Sequence, residues 1–194
     1  TRQIVSLTVG PGEFVPKSAY TIIEARENAV NLTGSLHGDG HWLFSGPHVV
    51  RISGPAVNDV SAPAAVGGTG ILELDKSSGP ALHGPITLKP GAILRPLRDG
   101  QLGHPRFISV GSGADLQMGG HTQAGENLGL YGGKVTGGGT LELEDYIHGG
   151  IDFEVSTLVP SMAADVRITA TAPKFFVSVG EGRLDMTGNF TLDP

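Results

Sequence analysis

The sequence predicts an all-β chain coiled as a parallel β-helix (β-solenoid) with rungs of about 21–26 residues, and three observations point to it. The first is an internal repeat. "ITLKPGAILRP" (86–96) returns as "ISVGSGADLQM" (108–118), and both read I-x-[L/V]-x-x-G-A-x-L at an offset of 22 residues. Ile86 falls on Ile108, Leu88 on Val110, Gly91 on Gly113, Ala92 on Ala114 and Leu94 on Leu116. The second is spacing: Gly70, Gly91, Gly113 and Gly139 are 21, 22 and 26 residues apart, and Gly182 lies 43 further on, about two more steps. The third is alternation. "ILELD" (71–75), "TLELE" (140–144), "IDFEV" (151–155), "VRITA" (166–170) and "FVSV" (176–179) read as short strands between turn-forming segments such as "KPGA", "GSGA" and "TGGG".

A unit of some 20 residues cannot bury its own apolar face, so it must stack on its neighbours. Stacking at ~4.8 Å lets like residues form ladders and gives each strand backbone partners above and below. Ile86, Leu88, Leu94, Ile108, Val110 and Leu116 are therefore expected to face inward, and Thr87, Lys89 and Ser109 outward. The glycines recur because corners recur, and a residue without a Cβ accepts φ > 0 there. The alternative is a β-sandwich, for which Asp39-Gly40 and Asp99-Gly100 would supply hairpin turns. A sandwich has no reason to repeat a nine-residue pattern at a fixed offset.

Along the chain, residues 1–66 form a less regular N-terminal part of a single domain, and residues 67–194 carry the repeats. "TRQIVSLTV" (1–9) alternates; it shows no charged-then-apolar leader and is compatible with a mature N-terminus. "SAYTIIEARENA" (18–29) is the one stretch with a helical look. Its apolar stripe from Tyr20 and Ile23 fails at Glu27, and the β-branched Thr21, Ile22 and Ile23 lean it to strand. In "ILELD" and "TLELE" the leucines point to a dry face, while Glu73 and Asp75, or Glu142 and Glu144, point to a wet one.

Composition narrows the function classes. The chain has 194 residues, 31 glycines, 13 prolines, no cysteine and a net charge of −6. An apolar share of 39% with 16% charge suits a folded domain. Without cysteine there are no disulfides, thiolate metal sites or cysteine nucleophiles. Scattered basic residues argue against a nucleic-acid partner, and no apolar run is long enough to span a membrane as a helix.

The segment "GGTGILELDKSSGPALHGPITLKPGAILRP" (67–96) resembles the passenger repeat of bacterial autotransporters. Gly68, Gly70, Leu72 and Leu74 match the first part of that pattern, Gly84, Ile86, Gly91 and Leu94 the second, and "GGGTLELED" (137–145) restarts it. The likeness covers about residues 67–145. It implies a right-handed β-helix on a cell surface, and no catalytic residue.

Candidates for chemistry are few. In "HGDGHW" (37–42) the alternating His37, Asp39 and His41 would project together from an extended segment, as metal ligands do, whereas the two glycines describe a solvated turn. The pairs Glu73/Asp75 and Glu142/Glu144 raise the question of glycoside cleavage by paired carboxylates, against a plain solvated face. "NLT" (31–33) and "NFT" (189–191) are glycosylation sequons. At the termini, Ile4, Val5, Leu7 and Val9, with Phe190 and Leu192, are apolar where a lone solenoid would carry polar caps, which points to homo-oligomerisation through terminal strands; the alternative is that each terminal strand folds back over its own end.

The expected function is that of a non-enzymatic extracellular structural or adhesive protein that assembles into a filament or surface layer, without cofactor, with a surface glycan or another protein as partner. The alternatives are a virion decoration or tail-spike module and a β-helix polysaccharide lyase or hydrolase.

Overall fold

The computed structural model describes residues 7–9, 12–14, 19–150, 161–163, 165–168, 176–179 and 184–192. Over these the chain is all β, without helix, and winds into a parallel β-solenoid of about six turns. The strand "IDFEV" (151–155), the repeat glycine Gly182 and the terminal residues Ile4 and Val5 lie outside the described residues.

Two long sheets run the length of the stack. The first begins with Leu7–Val9 and passes through Val30–Leu32, Val49–Gly54, Ile71–Lys76, Ile93–Pro96, Asp115–Gln117 and Lys134–Thr136 to Ser161–Met162 and Asp185–Met186. The second begins with Tyr20–Glu24 and passes through His41–Ser45, Ala64–Val66, Ile86–Leu88, Ile108–Val110, Thr122–Tyr131 and Thr140–Gly150 to Asp165–Ile168 and Phe190–Leu192; Phe176–Val179 also pairs with Thr140–Gly150. Successive strands alternate between the sheets over most of the chain, which is the path of a coil. Among the described residues every strand pairing is parallel, so neither Asp-Gly dipeptide makes a hairpin. Within the stretch 18–29 the β-branched run forms the strand Tyr20–Glu24, and residues 25–29 turn the corner after it.

The register is the one the repeat dictates. Ile86 pairs with Ile108, Leu88 with Val110 and Leu94 with Leu116. All six are buried, while Thr87 and Lys89 are exposed and Ser109 is half-buried. Each buried Leu or Ile contributes about 1.5–3 kcal/mol, so a rung's stability comes from the rungs on either side. Gly91, Gly113 and Gly139 hold φ of 78°, 66° and 91° at their turns. A Cβ at Gly139 would also fall 2.3 Å from the carbonyl oxygen of His121 on the rung beneath.

The corners need more than apolar side chains, because their backbone groups lie outside the strand ladders and must still be paired. Buried amides do this. Asn58 accepts the N–H of Leu36 (3.0 Å) and donates to the carbonyl of Ala81 (2.8 Å), joining three rungs. Gln101 accepts from the N–H of Lys76 (2.7 Å) and donates back to its carbonyl (3.1 Å). Gln123, 22 residues beyond Gln101, accepts from the N–H groups of Gln101 (2.8 Å) and Leu102 (3.1 Å) and donates to the carbonyl of Arg98 (2.7 Å). Beside them Lys76 is 1% exposed, and its ammonium donates to the carbonyl of Gly34 at 2.8 Å. Burial pushes its pKa below the ordinary lysine value.

One expectation is corrected. Glu73 does not stand on a wet face; it is 8% exposed. Asn31, Arg51, Glu73, Arg95, Gln117 and Thr136 form one column on the outer side of the first sheet. Within it Glu73 accepts from Arg51 Nε at 2.9 Å and meets Arg95 at 3.4 Å. The arginine stems cover the carboxylate and their guanidinium groups neutralise it. Asp75, next along the strand, accepts from Arg98 Nε at 2.7 Å.

Candidate functional site

The outer face of the second sheet is built from the residues that alternate with its inward ladder. Thr21, Trp42, Ala64, Ile86, Ile108, Leu128 and Ile147 are in register and buried. The residue preceding each therefore points outward: Tyr20, His41, Pro63, Pro85, Phe107, Asn127 and Tyr146, a column dominated by rings. The residue following each forms the next column: Ile22, Leu43, Ala65, Thr87, Ser109, Gly129 and His148. Its centre is small, so the face is hollowed between larger flanks.

The hollow deepens toward the N-terminal end into a trough of about 380 Å³, a size typical of small-ligand sites. Tyr20 and His41 stand on one side with ring centroids 5.1 Å apart and planes at 25°. Leu43, Ala65 and Thr87 line its length, and Lys89 closes the far side. Tyr20 is 70% exposed, so much of the stack's surface reaches solvent. No carboxylate lines the trough.

A second group of rings lies further along the same face. Phe107 and Tyr146 have centroids 6.3 Å apart, and Tyr131 and His148 5.7 Å. They close over Gly129, where a Cβ would fall 2.7 Å from Tyr131 Cε2 and 2.9 Å from Phe107 Cζ. The absent side chain is what lets the rings approach. His148 Nδ1 lies 2.7 Å from Ser178 Oγ, an exposed contact at the far end.

Of the candidate metal ligands, the structure takes only His41 into this face. His37 makes a single parallel bridge with Asp59, Asp39 is exposed in the turn, and among the described residues no three His, Asp or Glu side chains converge as a metal site. Glu144 meets His104 Nε2 at 3.1 Å rather than standing free. Asn31 of the first sequon accepts from Ser53 Oγ at 2.7 Å within a strand, whereas Asn189 of the second is exposed. The carboxyl of Asp99 is held below the usual aspartate range, first by the N–H of Thr122 at 2.8 Å and then by His121. It sits on a corner away from the trough.

Of the predicted assembly residues, Leu7, Val9, Phe190 and Leu192 lie in strands at the ends of the sheets, as far as the described residues go. Leu7 and Val9 belong to the strand that opens the first sheet, paired with Val30 and Leu32. Phe190 and Leu192 belong to a strand at one end of the second, paired with Val166 and Ile168.

Sequence reasoning missed the trough. The available signal was the ring or proline placed immediately before each inward anchor, in Tyr20-Thr21, His41-Trp42, Pro63-Ala64, Pro85-Ile86 and Phe107-Ile108. Comparison of the chain with models of known protein families, with curated proteins and with solved structures finds no match.

Proposed function

We propose that this chain is a non-enzymatic extracellular structural and adhesive protein whose contact surface is the outer face of the second sheet. The observation that carries the reading is the hollow, ring-bearing face just described. Rings exposed side by side on a rigid sheet make a preorganised platform, and a preorganised platform loses little conformational entropy on binding. Exposed apolar surface of this kind marks interaction sites. Glu73 and Asp75 are each engaged by arginines, which weakens the alternative in which that pair cleaves glycosides.

Self-assembly through the stack's ends belongs to the same reading. Val177 and Val179, on a strand paired with Thr140–Gly150 toward the C-terminal end, are 50% and 45% exposed. Val177 continues the inward ladder beyond Ile147. A ladder residue left half bare is a surface for the next copy, and end-to-end contacts of this sort propagate as filaments.

Beads coated with the protein provide the test, on glycan-coated, protein-coated and whole-cell surfaces, with polysaccharide cleavage followed in the same wells. Retention without cleavage is expected, and loss of retention when Phe107 and Tyr131 are both changed to alanine. Cleavage, or retention indifferent to that pair, overturns the reading. For assembly, light scattering should show oligomers that disappear when residues 1–9 are removed; unchanged assembly in the truncated chain rules out the N-terminal strand as the contact.

A further inference from the structure

We infer that the trough at the N-terminal end of the second sheet is a saccharide subsite for sugars carrying a carboxylate. The inference rests on the adhesive reading above and names the chemistry of its ligand.

The argument starts from the rings. One face of a pyranose ring is a patch of C–H groups, apolar and weakly positive at its hydrogens. It complements the negative face of an aromatic ring, which is the same quadrupole preference that orders aromatic pairs. The Tyr20–His41 stack offers ring surface of this kind, with Tyr20 70% exposed and both residues carried on paired strands. The trough leading away from it is lined by Leu43, Ala65 and Thr87, one on each successive rung, along which a flat ligand can lie.

Charge then selects among saccharides. Lys89 is exposed at the far side of the trough, has no ion-pair partner among the described residues, and shares the trough with no carboxylate. Elsewhere on the described surface, four arginines are engaged by acids, Arg26 by Glu24, Arg51 and Arg95 by Glu73, Arg98 by Asp75, while the exposed Arg106 stands on another rung, outside the trough. A chain with net charge −6 that leaves an ammonium unpaired beside a ring stack has a local complement for an anion against an acidic background. The ring stack and the ammonium lie at opposite sides of the trough, which suits an oligosaccharide with one sugar on the rings and the carboxylate of another at Lys89.

A peptide is the less suited occupant. Peptides that join a sheet do so at a free edge; the strands flooring the trough, His41–Ser45, Ala64–Val66 and Ile86–Leu88, are paired on both sides, and Tyr20–Glu24, the terminal strand of the sheet, gives the trough only the Tyr20 side chain.

The test uses a short oligomer of glucuronic acid, the equally long oligomer of glucose with the same linkage, and a poly-glutamate peptide. Binding is followed by calorimetry and by the emission of Trp42, the single tryptophan, which contributes to the trough's lining. The glucuronate oligomer should bind, more weakly as salt rises, and the glucose oligomer about fivefold less well, the upper worth of an exposed ion pair. Lys89→Gln should bring the two sugars to the same affinity and abolish the salt dependence. Tyr20→Ala should weaken both several-fold, with circular dichroism unchanged because Tyr20 is exposed. Equal affinity for both sugars in the unaltered protein, tighter binding of poly-glutamate, or no binding of any probe overturns the inference. Beads that still adhere through Phe107 and Tyr131 while no sugar binds would refute the saccharide subsite and leave the adhesive reading standing.

Discussion

Replacing Gln123 with leucine should destabilise the solenoid although it makes the interior more apolar. Gln123 is 1% exposed. Its amide serves three backbone groups at once: the N–H groups of Gln101 and Leu102 and the carbonyl of Arg98. Leucine fills nearly the same space and serves none of them. Each buried backbone group left without a partner costs about 1–3 kcal/mol. Three such groups cost about 3–9 kcal/mol and the added apolar burial returns about 1.5–3 kcal/mol in total, so the mid-range net loss should be about 4 kcal/mol. Gln117→Leu is the control. That residue stands on the outer side of the first sheet, where it accepts from Arg95 Nε at 2.7 Å and donates to Asp115 Oδ2 at 2.9 Å. Arg95 can turn to water when the acceptor goes, and Asp115 keeps Thr136 Oγ1 at 2.7 Å and Lys134 Nζ at 3.5 Å, so the change should cost under about 1 kcal/mol. Urea unfolding, read by strand circular dichroism and Trp42 emission together, compares the two. A Gln123→Leu midpoint equal to or above that of the unaltered protein refutes the argument that buried amides hold the corners.

Leu116→Ala, within the ladder between Leu94 and Val135, should cost about 2–5 kcal/mol, while Thr87→Ala on the outer face should be near neutral; equal midpoints would remove the register argument. Gly139→Ala, at φ 91° and with a carbonyl 2.3 Å from its new Cβ, should lower stability by more than about 1 kcal/mol, and an unchanged midpoint would contradict that turn geometry. Lys76 titrates below its ordinary value in the folded chain, so the unfolded chain binds the extra proton between that lowered pKa and 10.5. Stability from this group therefore rises with pH across that window. Lys76→Met should flatten that rise, and identical pH profiles for the two proteins would show that the amine is not desolvated.

The coil itself was legible because it is periodic. A strand's side chains alternate and a solenoid's rungs repeat, so the match of Ile86 to Ile108 and Leu94 to Leu116 states both which residues face inward and what lies above them. The glycine spacing marked turns for the same reason: Gly91, Gly113 and Gly139 take conformations that a Cβ would oppose. The stretch 18–29 followed its β-branched residues into a strand once a neighbouring rung was there to pair with it.

What sequence by itself could not decide is what each polar residue meets on the next rung. Glu73 alternates with leucines and reads as solvated; only the coil sets it between Arg51 and Arg95, each one turn away, and the three together shed water that Glu73 alone would have kept. Gln101 and Gln123 look like ordinary surface residues, yet the winding turns them inward at corners whose backbone groups need partners. His41 reads as a ligand partner of His37 and Asp39, neighbours in the chain, but the pleat sets it against Tyr20 and across the trough from Lys89. Local pattern determined the inward face, because burial follows alternation along a single strand. Lateral contact determined the site, because a column on a sheet exists only after the rungs have been stacked in one register.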